Sequence, residues 1–296
     1  MNPIKNDVPV QEFTILNKQI FIVRDDLCSP FPGNNNSKSR GIYQFLKKID
    51  NDTIGVLDTC FSRGGWGVAW LGSILRKKVY VYVKQKCVND FFRKMAKLHG
   101  GTIISLNNVG RINYNYNIAK KDIINKNGVM LPLYLKLHET VDEIEKVSFN
   151  ILSKYDIKTI VVSVGSGTIA SGIVRSADIS KVKIYGIGHK DLSLKNRYNY
   201  IEKMSRKKKG ITIIKMNYTY GQPNYDIRPP FPCDLYYDRW AWAWLIENIN
   251  KLNEPILFWN IGGEWHHETG LFPAFRGDGI TSKEEVDKWI ENRGLI

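Results

Sequence analysis

The 296-residue chain has no run of about 18 consecutive apolar residues, the least that a membrane-spanning helix requires. Its first residues, Met1-Asn2-Pro3-Ile4-Lys5-Asn6-Asp7, lack the apolar segment of a signal peptide. The expectation is a soluble, cytoplasmic protein with no membrane partner. Cysteine is scarce: Cys28, Cys60, Cys87 and Cys233 are scattered without C-x-x-C spacing. That argues against zinc or a disulfide framework and reads as four reduced thiols. There is no internal repeat, and low complexity is confined to the asparagines at 34–36, so a solenoid is excluded. Acidic side chains are also few. Against 43 Lys and Arg stand 29 Asp and Glu, a net charge of +14. Runs such as Arg206-Lys207-Lys208-Lys209 and Arg76-Lys77-Lys78 concentrate the excess. A basic surface can attract nucleic acid, which stays open as a partner. The same richness in Lys, Asn and Ile also follows from AT-rich coding, and no run sits in a nucleic-acid motif, so a solvated surface is the plainer reading.

What is present is a large apolar fraction, 43%, enough for one large core or two modest ones. From about residue 53 strands and helices alternate. Strand 53–57, helix 68–75, strand 78–83, helix 89–98 and strand 102–105 make a βαβαβ block, which implies a parallel sheet with helices on its faces. The polar stretch 107–127 shows poor periodicity and reads as an excursion at a domain rim. Helix 141–155, strand 158–163, a glycine loop with its helix, strand 182–186, helix 192–207 and strand 211–215 continue the alternation. A Trp-rich helix 239–250, strand 255–260, the turn Gly262-Gly263 and a helix 283–292 end it. Two doubly wound domains, roughly 47–135 and 136–296, are expected.

The loop Val164-Gly165-Ser166-Gly167-Thr168-Ile169-Ala170-Ser171-Gly172 directly follows the apolar strand 158–163. Glycines let the backbone approach an anion, Ser166 and Thr168 offer hydroxyls, and the helix start favours negative charge. A strand followed by Gly-Ser-Gly also makes an ordinary tight turn, so this loop alone leaves both readings open. Far upstream, Phe21-Ile22-Val23-Arg24-Asp25-Asp26-Leu27 leads into Pro32-Gly33-Asn34-Asn35-Asn36-Ser37-Lys38-Ser39-Arg40-Gly41.

Together these two elements resemble the tryptophan-synthase-β-like, fold type II pyridoxal-phosphate enzymes, nearest the branch of D-cysteine desulfhydrase and 1-aminocyclopropane-1-carboxylate deaminase. That branch has a Gly-Gly-Asn-Lys-x-Arg-Lys lysine turn and a Gly-Ser-Gly-Gly-Thr phosphate loop, one glycine longer than the present one. The resemblance implies an α/β fold of two doubly wound parallel-sheet domains with the cofactor in the cleft between them. Residues 1–46 and 136–296 would form the large cofactor domain and 47–135 the small one. Lys38 would be the Schiff-base lysine of pyridoxal 5'-phosphate and shuttle the proton at the substrate's Cα. Arg24 and Asp26 would hold its turn. Gly165, Ser166, Gly167 and Thr168 would anchor the phosphate.

Three further segments are similar to family motifs. Phe61-Ser62-Arg63-Gly64-Gly65-Trp66-Gly67 resembles the loop that binds the substrate carboxylate, with Gly65 and Trp66 where Asn and His are expected. Ser62, Gly64, Gly65 and Trp66 are therefore candidate substrate contacts, and Ser62 a catalytic one; an ordinary strand–helix turn with a core Trp is the alternative. Cys233-Asp234-Leu235-Tyr236-Tyr237-Asp238 puts Tyr237 on the active-site tyrosine and Asp238 opposite the pyridine nitrogen, although Asp238 can equally cap the following helix. Tyr218-Thr219-Tyr220-Gly221 is similar to a segment that sets a tyrosine near the cofactor, making Tyr218 and Tyr220 substrate-site candidates. The final strand ends in Asn260-Ile261-Gly262-Gly263 where His-Thr-Gly-Gly is usual. The helix expected before Cys233 is replaced by Asp226-Ile227-Arg228-Pro229-Pro230-Phe231-Pro232. Adjacent histidines rarely share one ion, so His266-His267-Glu268 is not taken as a metal site.

The implied activity is a pyridoxal-phosphate-dependent lyase or deaminase acting on a small amine-bearing substrate, with racemisation or β-replacement close behind. A homodimer is common in the family. The basic charge and the Trp and Tyr content also suit an amino-acid-bearing nucleobase in DNA or RNA. A third reading is a non-catalytic binding protein on the same fold.

Overall fold

The computed structural model describes residues 3–29, 36–60, 62–85, 91–107 and 111–263. In chain order these form strands β1 (Val10–Ile15) and β2 (Lys18–Arg24), helix α1 (Asn36–Lys48), strand β3 (Thr53–Leu57), helix α2 (Gly64–Ile74), strand β4 (Lys78–Lys84), helix α3 (Phe91–Leu98) and strand β5 (Thr102–Leu106). Helix α4 (Ile112–Asn125), strand β6 (Val129–Met130), helix α5 (His138–Leu152), strand β7 (Thr159–Ser163) and helix α6 (Thr168–Ser176) follow. Strand β8 (Lys183–His189), helix α7 (Leu194–Ser205), strand β9 (Thr212–Met216), helix α8 (Asp238–Asn248) and strand β10 (Ile256–Asn260) complete the described chain. These elements gather into two compact units, residues 3–40 with 140–263 and residues 41–139. The α/β class with parallel-sheet cores is the one expected.

In the first unit six strands pair in the order β1-β2-β10-β7-β8-β9. All pairings are parallel except β1 with β2, an antiparallel hairpin that turns through Leu16 and Asn17 at φ 48° and 61°. Turns with positive φ match the twist of the flanking strands. The hairpin's first strand is absent from the sequence-based expectation, because its half-exposed residues carry little apolar signal. Strands β7 and β10 are buried at every residue, as befits the middle of a parallel sheet. The core on one side joins Ile20, Ile22, Val161, Ile187 and Phe258 to Trp242 and Leu245 of α8. Phe231 comes from the proline-rich segment that replaces the expected helix. It meets Trp242 edge-on at 5.1 Å, and Trp242 meets Phe258 in the same way at 5.2 Å.

The second unit has a four-stranded parallel sheet in the order β5-β4-β3-β6. The polar stretch read as an irregular excursion contains the 14-residue helix α4, and strand β6 follows it. Asn115, Ala119 and Ile123, spaced four apart, form its buried face. That stripe is narrow and begins with a buried Asn, which is why apolar periodicity does not reveal it. The helix lies close on β3 because Gly55 has no side chain: a Cβ there would stand 2.3 Å from Ile123 Cγ1 and 2.8 Å from Met130 Sδ. Tyr82 of β4 donates to Asp122 of α4 at 2.6 Å.

Cys28 and Cys233 are free and buried, but Cys60 is disulfide-bonded, against the expectation of four reduced thiols. Sequence spacing carries no sign of a bond that the fold creates. Cys87, the helix expected at 283–292 and His266-His267-Glu268 lie outside the described residues. No helix among the described residues is long and apolar enough to cross a membrane.

Gly55→Val is expected to destabilise the protein by about 1–3 kcal/mol through overpacking against α4. A lowered urea midpoint with an unchanged slope would register this.

Candidate functional site

The carboxyl ends of parallel strands are where open α/β sheets bind ligands. In the first unit the segments singled out from sequence gather there. The Lys38 turn follows β2, the Gly262 turn follows β10, the glycine loop follows β7, and β2, β10 and β7 are neighbours in the sheet.

Lys38 is half-buried in the first turn of α1, between Ser37 and Ser39, both fully buried. The helix start is fixed by Asp25, whose carboxylate accepts a very short bond from Ser37 and an indole N–H from Trp259 at 2.9 Å. It also pairs with Arg40 Nη1 at 2.6 Å. Asp25 and Arg40 are 0% and 1% exposed, so this ion pair lies in the interior. Next to it Asp26 takes a two-pronged bond from Arg24, 2.8 and 2.7 Å, and one from Asn260 at 2.9 Å. Desolvation nevertheless raises the Asp26 pKa, with Arg24 and Asn260 opposing. Asp25, not singled out from sequence, therefore grips the residues on either side of Lys38, while Arg24 and Asp26 secure the turn from below.

At the glycine loop Gly167 adopts φ 87°, a left-handed conformation that suits glycine. Among the described residues, no atom lies within 4 Å of a Cβ at Gly165. Ser166 Oγ lies 3.0 Å from Thr168 Oγ1, which lies 3.3 Å from the Tyr200 hydroxyl. Arg197 of α7 donates to the Ser166 carbonyl.

Asp238 opens α8 but does not cap it; Tyr237 occupies the cap position without a side-chain bond. The Asp238 carboxylate instead accepts from Ser163 Oγ at 2.5 Å and from the N–H groups of Ile261 and Gly262 at 2.9 and 2.8 Å, joining the ends of β7, β10 and α8. Complete burial, then Asp234, push its pKa up to about 7. Asp234 also accepts the N–H groups of Tyr236 and Tyr237 and so shapes the approach to Asp238.

An aromatic group stands beside these residues. Tyr218 is buried and stacks on Trp240 with centroids 4.6 Å apart and planes 1° from parallel. Tyr220 is 41% exposed and 5.9 Å from the Tyr237 ring. His189, at the end of β8, meets both Tyr218 and Tyr220 edge-on, at 6.3 and 5.8 Å. Burial lowers its pKa. His189 escapes the sequence reading because the strand, expected to stop at Gly186, runs three residues further.

The loop expected to bind the substrate's anion belongs to the second unit. Its donors are engaged locally: Gly65 N–H donates to the buried Asp58 at 2.8 Å and Gly64 N–H to Ser62 Oγ at 3.1 Å. Ser62's side chain also hydrogen-bonds Asp58. Arg93 pairs with Asp58 at 2.7 Å and donates to the carbonyls of Thr59 and Ser62, both at 3.1 Å. Trp66 is 1% exposed and stacks on His99, the packing of a core residue.

The groups in the first unit fit pyridoxal phosphate. An open glycine loop with two hydroxyls and an arginine suits its phosphate, a buried carboxyl suits its ring nitrogen, and a lysine suits its aldehyde.

The fold has close parallels among solved structures. An ACC deaminase homologue superposes with a TM-score of 0.75 at 16% identity over 94% of both chains. O-ureido-L-serine synthase does so with 0.72 at 10% identity over 98% of both. Maize serine racemase gives 0.64 at 14% identity, covering 97% of this chain and 93% of that one. The fold, together with the relative described next, defines a pyridoxal-phosphate-dependent enzyme of fold type II that acts on an amino-acid-like substrate. No family model matches the chain. The glycyl-dTMP PLP-dependent decarboxylase of Pseudomonas phage M6, however, is 32% identical over 278 residues, which cover 88% of this chain and 99% of the phage protein. The chain belongs to the family of that decarboxylase.

The raised Asp238 pKa means that the folded, cofactor-free protein holds this proton more tightly than the unfolded chain does. Its contribution to stability is full below the unfolded value of 3.8 and is lost as pH rises through about 7. Relative to Asp238→Asn, which cannot ionise, the wild type should lose stability across that window, on the order of 4 kcal/mol. Paired denaturation curves at pH 4, 5.5 and 7 check it.

Proposed function

We propose that the protein decarboxylates an amino acid joined to a thymine nucleotide. Identity of 32% across nearly the whole of a glycyl-dTMP decarboxylase carries this reading. Bound pyridoxal phosphate supplies the electron sink that accepts the pair left when the Cα–carboxylate bond breaks. Lys38 would hold the cofactor and supply the proton that Cα gains, and Tyr237 would stand near them, as the family resemblance implies. Gly165 to Thr168 anchor the phosphate. Asp238 would stand opposite the ring nitrogen, where the cation of a protonated ring would draw its buried carboxyl toward the ionised form.

The loop that the family resemblance assigns to the substrate's carboxylate is, within the second unit itself, short of donors for one. A site that keeps a substrate carboxylate offers it unspent donors, and stabilising that group in the ground state opposes its departure. Here Gly65 N–H and the Ser62 hydroxyl are committed to Asp58, which is itself a carboxyl group. Ser62, Gly64 and Gly65 thus keep few donors with which to grip a carboxylate. The aromatic group supports a nucleobase: Tyr220 and Tyr237 offer rings for it to pack on, with Tyr218 behind them. The +14 charge suits a nucleotide, free or within DNA.

The test is mass spectrometry after incubation with pyridoxal phosphate and glycyl-thymidine nucleotide, supplied free and in single- and double-stranded DNA. Loss of the mass of one CO2 is expected, and Lys38→Ala should slow it by roughly 10²–10⁴-fold. Release of ammonia with the carboxyl retained would instead mean deamination and would refute this reading.

A further inference from the structure

We propose that Arg197 is a phosphate-binding residue of the glycine loop, reaching in from α7 with Tyr200 beside it; this rests on the reading that Gly165 to Thr168 hold the cofactor's phosphate. Helix α7 packs directly on the loop. A Cβ at Gly167 would lie 2.9 Å from Arg197 Cδ, 3.1 Å from Ile201 Cγ1 and 3.3 Å from Tyr200 Cδ1. The Arg197 guanidinium donates to the Ser166 carbonyl, which fixes its position at the loop. The Tyr200 hydroxyl extends the Ser166–Thr168 pair, so hydroxyls of the loop, α6 and α7 form one chain of contacts at 3.0 and 3.3 Å.

The chemistry of the loop gives the cation its purpose. The side-chain donors of Gly165-Ser166-Gly167-Thr168 are two neutral hydroxyls, with no charge to set against a dianion. A guanidinium adds a permanent charge and planar donors matched to phosphate oxygens. Its charge is felt locally. Burial raises the Tyr200 pKa and Arg197 opposes that rise, while at His189 burial lowers the pKa and Arg197 adds to the fall. Helix α7 is itself anchored: Arg175 of α6 donates to the Met204 carbonyl through Nε at 3.0 Å and Nη2 at 2.6 Å, and that grip does not involve Arg197.

The experiment titrates cofactor-free wild type, Arg197→Met and Arg197→Lys with pyridoxal phosphate and, separately, with pyridoxal, which lacks the phosphate. Binding is followed by absorbance, and folding of each variant by circular dichroism. Arg197→Met should weaken pyridoxal phosphate roughly 10- to 100-fold, leave pyridoxal unchanged, and be partly rescued in Arg197→Lys. Equal losses for both ligands would mean that Arg197 only supports the fold, and no loss for either would mean that it does not reach the phosphate; each overturns the proposal. A wild type that binds the two ligands equally would overturn the underlying reading of the loop as well.

Discussion

Asp25 is the group on which the site's architecture depends. It is wholly buried, and a buried carboxylate without partners would be expelled or protonated. Its partners are therefore a structural necessity: Arg40 and Ser37 from α1, and Trp259 from β10. Removing one member of such a pair costs roughly 3–5 kcal/mol, because the other is left charged in the interior. The consequence for function is positional. Ser37 and Arg40 bracket Lys38, so the network that solves the burial problem of Asp25 also sets where the lysine's backbone stands. Asp26 repeats the device one residue on, with Arg24 and Asn260.

The same economy governs the neighbouring strands. Asp238 spends its acceptors on Ser163, Ile261 and Gly262, tying together the three chain segments that carry the glycine loop, the last strand and the aromatic helix. In the second unit Asp58 and Arg93 play the part that Asp25 and Arg40 play in the first, holding a glycine-rich helix start by its N–H groups and carbonyls. Each unit thus orders a strand-to-helix turn around a buried acid–arginine pair. Such pairs demand good geometry from several directions at once, which is why they confer position as well as stability.

Much of this could be read from residue order. Alternating apolar runs and glycine turns mark most of the parallel strands, and the Lys38 and Gly165 motifs carry a family resemblance that the fold and a 32% identical relative bear out. The signals that failed were weak for physical reasons. Helix α4 hides behind one buried Asn and a three-residue stripe; β1 is an exposed edge; β8 runs on past the glycine at which it was expected to stop.

The sequence alone determined the α/β alternation, which depends on periodicity, and the order of the segments around Lys38 and Gly165, through which it resembles the pyridoxal-phosphate family. Only the tertiary structure decided which acid holds the lysine turn, that Asp58 occupies donors of the 62–65 loop, and that Arg197 reaches the Ser166 carbonyl. Trp259 is 234 residues from Asp25 and Arg197 is 31 from Ser166. Such partners meet through the pairing of strands and the packing of helices, and no local pattern records them.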